Sequence, residues 1–267
     1  RPMTIARSDL EALAQAAAFP DKTSYRSLSV RQIQELAQQA GMSGREIERA
    51  ALENGFVPER YARNMRTFSL ADQAALLKSH AGVVGLGGLG GTVTEILARM
   101  GVGCLTLIDG DRFEDSNLNR QLLSLPANLS RPKADAAARR VRRINPSTDV
   151  TAHACFLTAQ NAAELLAGCD VVVDCLDNLR TRFEVEDACR HIACPMVSAA
   201  VAKPVMNQSA SPGIPHAVVC TVPGRASLAP PWSRRNGGRR WRWCKKIQTG
   251  IKKPPGRRPW HPWISRT

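Results

Sequence analysis

The run Gly85-Leu86-Gly87-Gly88-Leu89-Gly90-Gly91 follows a short apolar stretch and leads into a helical one. Gly85, Gly87 and Gly90 therefore fit G-x-G-x-x-G in a strand–turn–helix setting, with Gly88 inside the same turn. Glycines there let the backbone approach phosphate oxygens, and the helix start supplies free N–H groups and a positive dipole end. Asp109 closes the next apolar run, where an acid would bind a pair of ribose hydroxyls. The two signals point to an adenine nucleotide without saying which one.

Hydride transfer with NAD is the ordinary inference from such a pair, but the residues after Asp109 argue against it. The polar loop Asp109 to Gln121 carries Asn117, Arg120 and Gln121 to the mouth of the nucleotide pocket. A guanidinium there can grip phosphate bidentately, as a triphosphate requires and a hydride donor does not. No His or Tyr acid for a hydride site is recognisable. Lys133, just after Pro132, brings an ammonium to the same rim. Asp177, in Val173-Asp174-Cys175-Leu176-Asp177-Asn178, brings a carboxylate suited to Mg²⁺. Each residue also has a plainer use. Arg120 could pair with Glu114 or Asp115 on the surface, Lys133 could be solvated, and Asp177 could cap the helix near Asn178.

Positioning these side chains requires a sheet whose strands all end at one edge. Apolar runs at Val83-Val84, Cys104 to Ile108, Val150 to Cys155, Val171 to Val173 and Met196-Val197 predict strands. Helical stretches near Thr92 to Met100, Lys133 to Ile144, Asn161 to Leu166 and Arg180 to Ile192 alternate with them. The fold class is thus α/β, a Rossmann-like, mostly parallel sheet with helices on both faces. Ligands on such sheets bind beyond the carboxyl ends of the strands.

Residues 1 to 56 read as a small helical extension. Apolar positions Ile33, Leu36 and Ala37, then Ile47, Ala50 and Leu52, have helical spacing. Gly41 separates the two stretches, and Ser43 with Glu46 forms a capping box for the second. Helix–turn–helix geometry also describes a DNA reader, but the mixed charge of this section offers no footprint for nucleic acid, so a packing module is expected. The first 18 residues lack the apolar stretch of a signal peptide, and no run of 18 apolar residues exists, so a cytoplasmic location without a membrane span is expected.

The chain has 267 residues and a formal net charge of +14, unevenly spread. Residues 204 to 267 hold 13 basic residues, no Asp or Glu, and all five tryptophans. This section reads as a degenerate or frame-shifted tail, or a disordered one, and less well as a nucleic-acid arm. The eight cysteines form no C-x-x-C pair, so no zinc site is assignable and buried reduced thiols are expected.

Taken together, the motifs resemble the ThiF/MoeB/HesA family, the bacterial relatives of ubiquitin-activating enzymes. Arg60-Tyr61-Ala62-Arg63-Asn64, the Gly85 to Gly90 loop, Ser116-Asn117-Leu118-Asn119-Arg120-Gln121 and Asp174-Cys175-Leu176-Asp177-Asn178 carry the likeness. Arg131-Pro132-Lys133 and Arg143-Ile144-Asn145-Pro146 support it, and it spans roughly residues 57 to 203. The resemblance implies an ATP- and Mg²⁺-dependent adenylation of the C-terminal glycine carboxylate of a ubiquitin-like or sulfur-carrier protein ending in Gly-Gly, by a homodimer. It implies that Asp109 holds the ribose, Asn117 and Arg120 meet the phosphates, Lys133 stabilises charge, and Asp177 holds Mg²⁺ beside Asn178. Arg63 would reach into the partner's site. The family pattern fades near Lys203, where its remaining strands and zinc-binding cysteines would follow, so a bare sheet edge is expected. An inactive adenylation-like domain that only binds is the alternative.

Overall fold

The computed structural model describes residues 5–200 and the strand segments 217–221, 232–233 and 242–243. Two units divide the chain, residues 1–224 and 225–267.

The first unit begins with α1 (Arg7–Leu13), β1 (Gln15–Ala18), β2 (Ser24–Leu28), α2 (Val30–Ala40), α3 (Gly44–Glu53) and the two-residue strand β3 (Val57–Pro58). The two helices form where their spacing predicts. Gly41 ends α2 in the left-handed conformation (φ 61°), and Ser43 and Glu46 close the expected capping box on α3. The extension is not wholly helical, however. β1 pairs antiparallel with β2, and β2 pairs parallel with β3. Leu10, Leu28, Ile33, Leu36, Ile47 and Phe56 fill its own small core.

Then follow α4 (Leu70–Lys78), β4 (His80–Val84), α5 (Gly88–Met100), β5 (Cys104–Ile108), α6 (Lys133–Ile144), β6 (Asp149–His153), α7 (Ala162–Leu165), β7 (Val171–Asp174), α8 (Leu179–His191), β8 (Met196–Ala200) and β9 (Ala217–Thr221). The six-stranded sheet has the order β6-β5-β4-β7-β8-β9. The first five strands run parallel, and β9 is antiparallel to β8. Alternate residues of each strand point to opposite faces. Val83 and Leu107 therefore join α5 and α6 in one apolar layer, while Val84 and Ile108 join α7 and α8 in the other. The strand order reverses direction between β4 and β7, which makes that crevice the switch point where such sheets bind ligands.

β9 modifies the expected boundary at Lys203, because the sheet gains a strand from the section after it. The edge of β8, expected to be bare, is covered. The second unit contributes a short antiparallel pair, β10 (Trp232–Ser233) with β11 (Arg242–Trp243). Most of the basic section, with Cys244, lies outside the described residues, as does the side chain of Cys220. No helix among the described residues is long and apolar enough to cross a membrane.

Candidate functional site

The turn after β4 is shaped by two glycines. Gly85 has φ +86°, and a Cβ there would stand 3.1 Å from the Cys175 backbone that follows β7. A Cβ on Gly90 would fall 1.7 Å from the Gly85 carbonyl oxygen, so no other residue fits. Gly87 caps α5, whose first-turn N–H groups have no partners within the helix.

Asp109, one residue past β5, ties this turn to the next loop. Leu86 N–H donates to its Oδ2 (2.6 Å) and Asp111 N–H to its Oδ1 (2.8 Å). Burial pushes its carboxyl above the usual carboxylate range, against the pull of those two amides and of Lys133. Lys133 opens α6 with its side chain only 8% exposed, and its Nζ lies 2.8 Å from Asp111 Oδ2. The Lys133 amide also donates to the Asp111 carbonyl (2.9 Å). Asp111 thus joins the acid and the ammonium. It stood inside the quoted polar loop, but its type alone did not separate it from Glu114 and Asp115.

Gln121 lies against the glycine turn, its Nε2 3.7 Å from where a Gly87 Cβ would be. The residue is 7% exposed and its Oε1 is buried without a hydrogen-bond partner among the described residues. The backbone carbonyl of Arg120 stands beside Gly88. The glycine turn, Asp109, Gln121 and Lys133 are therefore one place.

Other expected residues sit nearby with different tasks. Asn117 is buried, and its Oδ1 accepts from Glu114 N–H to shape its own loop. The exposed Arg120 guanidinium donates to Ser116 O (2.6 Å) and Asn119 Oδ1 (3.1 Å), and not to Glu114 or Asp115. Asn178 is the residue that caps α8, its side chain accepting from Arg180 N–H. Asp177, just before it, is exposed, with no hydrogen-bond or ion-pair partner for its carboxylate among the described residues. Arg63 is exposed in the turn before Asn64–Arg66, where its charge acts on Tyr25 of β2, and its guanidinium has no hydrogen-bond partner among the described residues.

The first acid of the Asp174-to-Asn178 motif behaves unlike the second. Asp174 is fully buried. It accepts from Leu176 N–H (3.0 Å) and Ser198 Oγ (2.6 Å), with Arg182 Nε 3.6 Å away. Arg182 also donates to the Leu176 carbonyl. This cluster ties the end of β7 to the middle of β8. The Cys175 thiol beside it is pushed up to about 12, by burial first and the Asp174 charge second, which makes it a poor nucleophile at neutral pH.

No three His, Cys, Asp or Glu side chains converge to hold a metal among the described residues. A single unpartnered carboxylate at the strand edge still suits Mg²⁺, which takes one or two carboxylates and completes its shell with phosphate oxygens and water.

Two other motifs meet far from the crevice. Tyr61 Oη donates to Glu48 Oε2 (2.9 Å), Asn145 Nδ2 donates to Tyr61 Oη (3.0 Å) and Ala98 O (3.1 Å), and Arg60 donates to Asn145 Oδ1. Arg60 Nε lies 3.3 Å from Glu48 Oε1, near enough to pair charges though outside hydrogen-bond geometry. Burial raises the Glu48 carboxyl despite Arg60. Arg45 pairs with Asp149 at 2.7 Å, and a Cβ on Gly44 would stand 2.7 Å from Ser147 Oγ. The start of α3 is therefore packed against the α/β domain, which removes it as a DNA-reading helix.

Comparison with known proteins agrees with this geometry. The SAMP-activating enzyme E1 of Haloferax volcanii is 40% identical over 54% of this chain and 54% of its own length. The sulfur carrier protein ThiS adenylyltransferase of Escherichia coli is 38% identical over 52% of this chain and 57% of its own. The chain thus spans little more than half the length of these curated relatives. Among solved structures, the E. coli tRNA N6-threonylcarbamoyladenosine dehydratase in complex with ATP superposes with a TM-score of 0.53 at 32% identity, covering 56% of this chain and 63% of that one. Residues 61–213 match the ThiF family, and with that match spanning more than half of the sequence, the chain belongs to the ThiF family.

Proposed function

We propose that the chain adenylates the C-terminal carboxylate of a small ubiquitin-like or sulfur-carrier protein ending in Gly-Gly, with ATP as co-substrate. The carboxylate oxygen attacks the α-phosphorus, the bond to the β-phosphate oxygen breaks, and pyrophosphate leaves with the electron pair. The observation that carries the reading is the joining of glycine turn, Asp109 and Lys133 at the switch point of the sheet. Names of the relatives support it, since they are activating enzymes and adenylyltransferases, and a structural neighbour binds ATP.

In this reading Asp109 accepts from the ribose hydroxyls with the lone pairs its two amides leave open. The first-turn N–H groups of α5 and Gln121 Nε2 donate to the α-phosphate region. Lys133 is held in place by Asp111 and turns toward phosphate when the triphosphate arrives. Arg120 reaches phosphate by exchanging its bonds to Ser116 and Asn119. Asp177 would hold Mg²⁺, which supplies charge neutralisation of the phosphates when bound. Placing groups and neutralising charge are what phosphoryl chemistry needs most. Arg63 is left for the site of a second copy, in a homodimer.

The test is Mg²⁺-dependent ATP–pyrophosphate exchange, screened against small proteins ending in Gly-Gly. Exchange with at least one of them is expected, and its absence with all, while ATP still binds, would favour the inactive binding domain. The bonds that tie up Arg120 are the observation on that side. Hydride transfer receives no support from the relatives. A cytoplasmic setting belongs to the same proposal.

A further inference from the structure

An exposed aromatic ring stands on the far side of Asp109 from the glycine turn. Phe156 follows β6, the strand next to β5, and Asp109 N–H donates to the carbonyl of His153 at the end of β6 (3.2 Å). Phe156 is 67% exposed. Its surroundings are not loose: Leu157 beside it is buried in the apolar layer, and Asn161 Nδ2 donates to the Phe156 carbonyl (3.0 Å). The ring does have one covered face. A Cβ on Gly110 would lie 2.6 to 2.7 Å from Cγ, Cδ1 and Cδ2 alike, so the ring lies face-on over the backbone of Gly110. One face rests on the residue between Asp109 and Asp111, and the rest of the ring is open to solvent.

We infer that Phe156 is the stacking platform for the nucleotide base, and that Gly110 lacks a side chain so that the ring can lie there. This rests on the nucleotide reading of the site. With phosphates at the glycine turn and ribose at Asp109, the base must extend away from the turn, over the ends of β5 and β6. An aromatic face at that position supplies contact that hydrogen bonding to the sugar cannot, and leaving so large an apolar surface in water costs stability unless a ligand covers it. Nothing in the motif set points to this residue, because a single Phe in a strand–loop junction reads as core.

The experiment compares binding of ATP and of inorganic tripolyphosphate to the full chain by calorimetry. Phe156→Ala should weaken ATP by about tenfold, within the range that base–aromatic stacks contribute, and leave tripolyphosphate unchanged. Phe156→Trp should restore ATP affinity. Lys133→Ala should weaken both ligands. Equal ATP affinity in wild type and Phe156→Ala, with Lys133→Ala still weakened, overturns the platform and leaves the nucleotide site standing. Loss of tripolyphosphate binding in Phe156→Ala overturns it too, since the ring would then act through the phosphate end. A wild-type chain that binds neither ligand removes both the nucleotide reading and the platform.

Discussion

Two polar clusters in this protein are built from motifs of one family, and they behave as opposites. The Glu48, Arg60, Tyr61 and Asn145 cluster is closed: its groups are enclosed and bonded chiefly to one another. The cluster around Asp109 is open. Gln121 Oε1 and the Asp177 carboxylate lack partners among the described residues, and Lys133 is held by one half-exposed carboxylate. Motif membership alone does not separate them; what does is exposure, since Arg120 and Asp177 stand open to solvent, whereas the unbonded Glu48 Oε1 and Arg60 Nε face each other 3.3 Å apart. The closed cluster holds parts in place, and the open one is where the proposed nucleotide would bind.

Substitutions in each should fail in different ways. Glu48→Ala leaves Arg60 buried without its counter-charge, a loss of about 3–5 kcal/mol in urea unfolding, with ATP affinity of the folded protein unchanged. If stability held, the closed cluster would lose its structural meaning. Lys133→Ala should reverse that profile. Pyrophosphate exchange should fall by about 10²–10³-fold, while stability changes by under about 1 kcal/mol, because its ion pair is with the half-exposed Asp111. Asp177→Ala should lower Mg²⁺-dependent exchange by about 10²-fold with no shift in melting; exchange at the wild-type rate would remove its metal role. Asn178→Ala sits between the regimes. It should cost about 1 kcal/mol as a lost helix cap, recovered by Asn178→Ser, and a larger loss of ATP affinity than of stability would move Asn178 into the open cluster.

The parallel core was legible because its signals are local. Cys104–Ile108 and Lys133–Ile144 form over the residues their patterns mark, and Ser43 caps α3 as its spacing requires. β1 was hidden because Gln15-Ala16-Ala17-Ala18 carries no branched or aromatic residue, so only its pairing with β2 makes it a strand. β9 was hidden by composition, since it lies in a section whose charge and proline content suggest no packing. At the site, sequence located the glycine turn and its acid from their spacing. It could not show that Asn117 and Asn178 spend their side chains on local turns, because an amide that caps and an amide that binds phosphate have the same type and position. Asp111 and Phe156 emerge only once the loop ends are brought together in space.

The acid at position 48 also decides where this protein can be trimmed. A polypeptide begun at Val57 would retain the glycine turn, Asp109, Lys133 and Asp177. It would also lose Glu48, which accepts from the buried Tyr61 hydroxyl, and uncover Tyr61, Ala74 and Leu77 where Leu52 packs on them. The smallest piece able to fold is therefore longer than the smallest piece carrying every signature. Whoever shortens it must keep the leading helices, or replace the apolar side chains that Leu52 covers with polar ones.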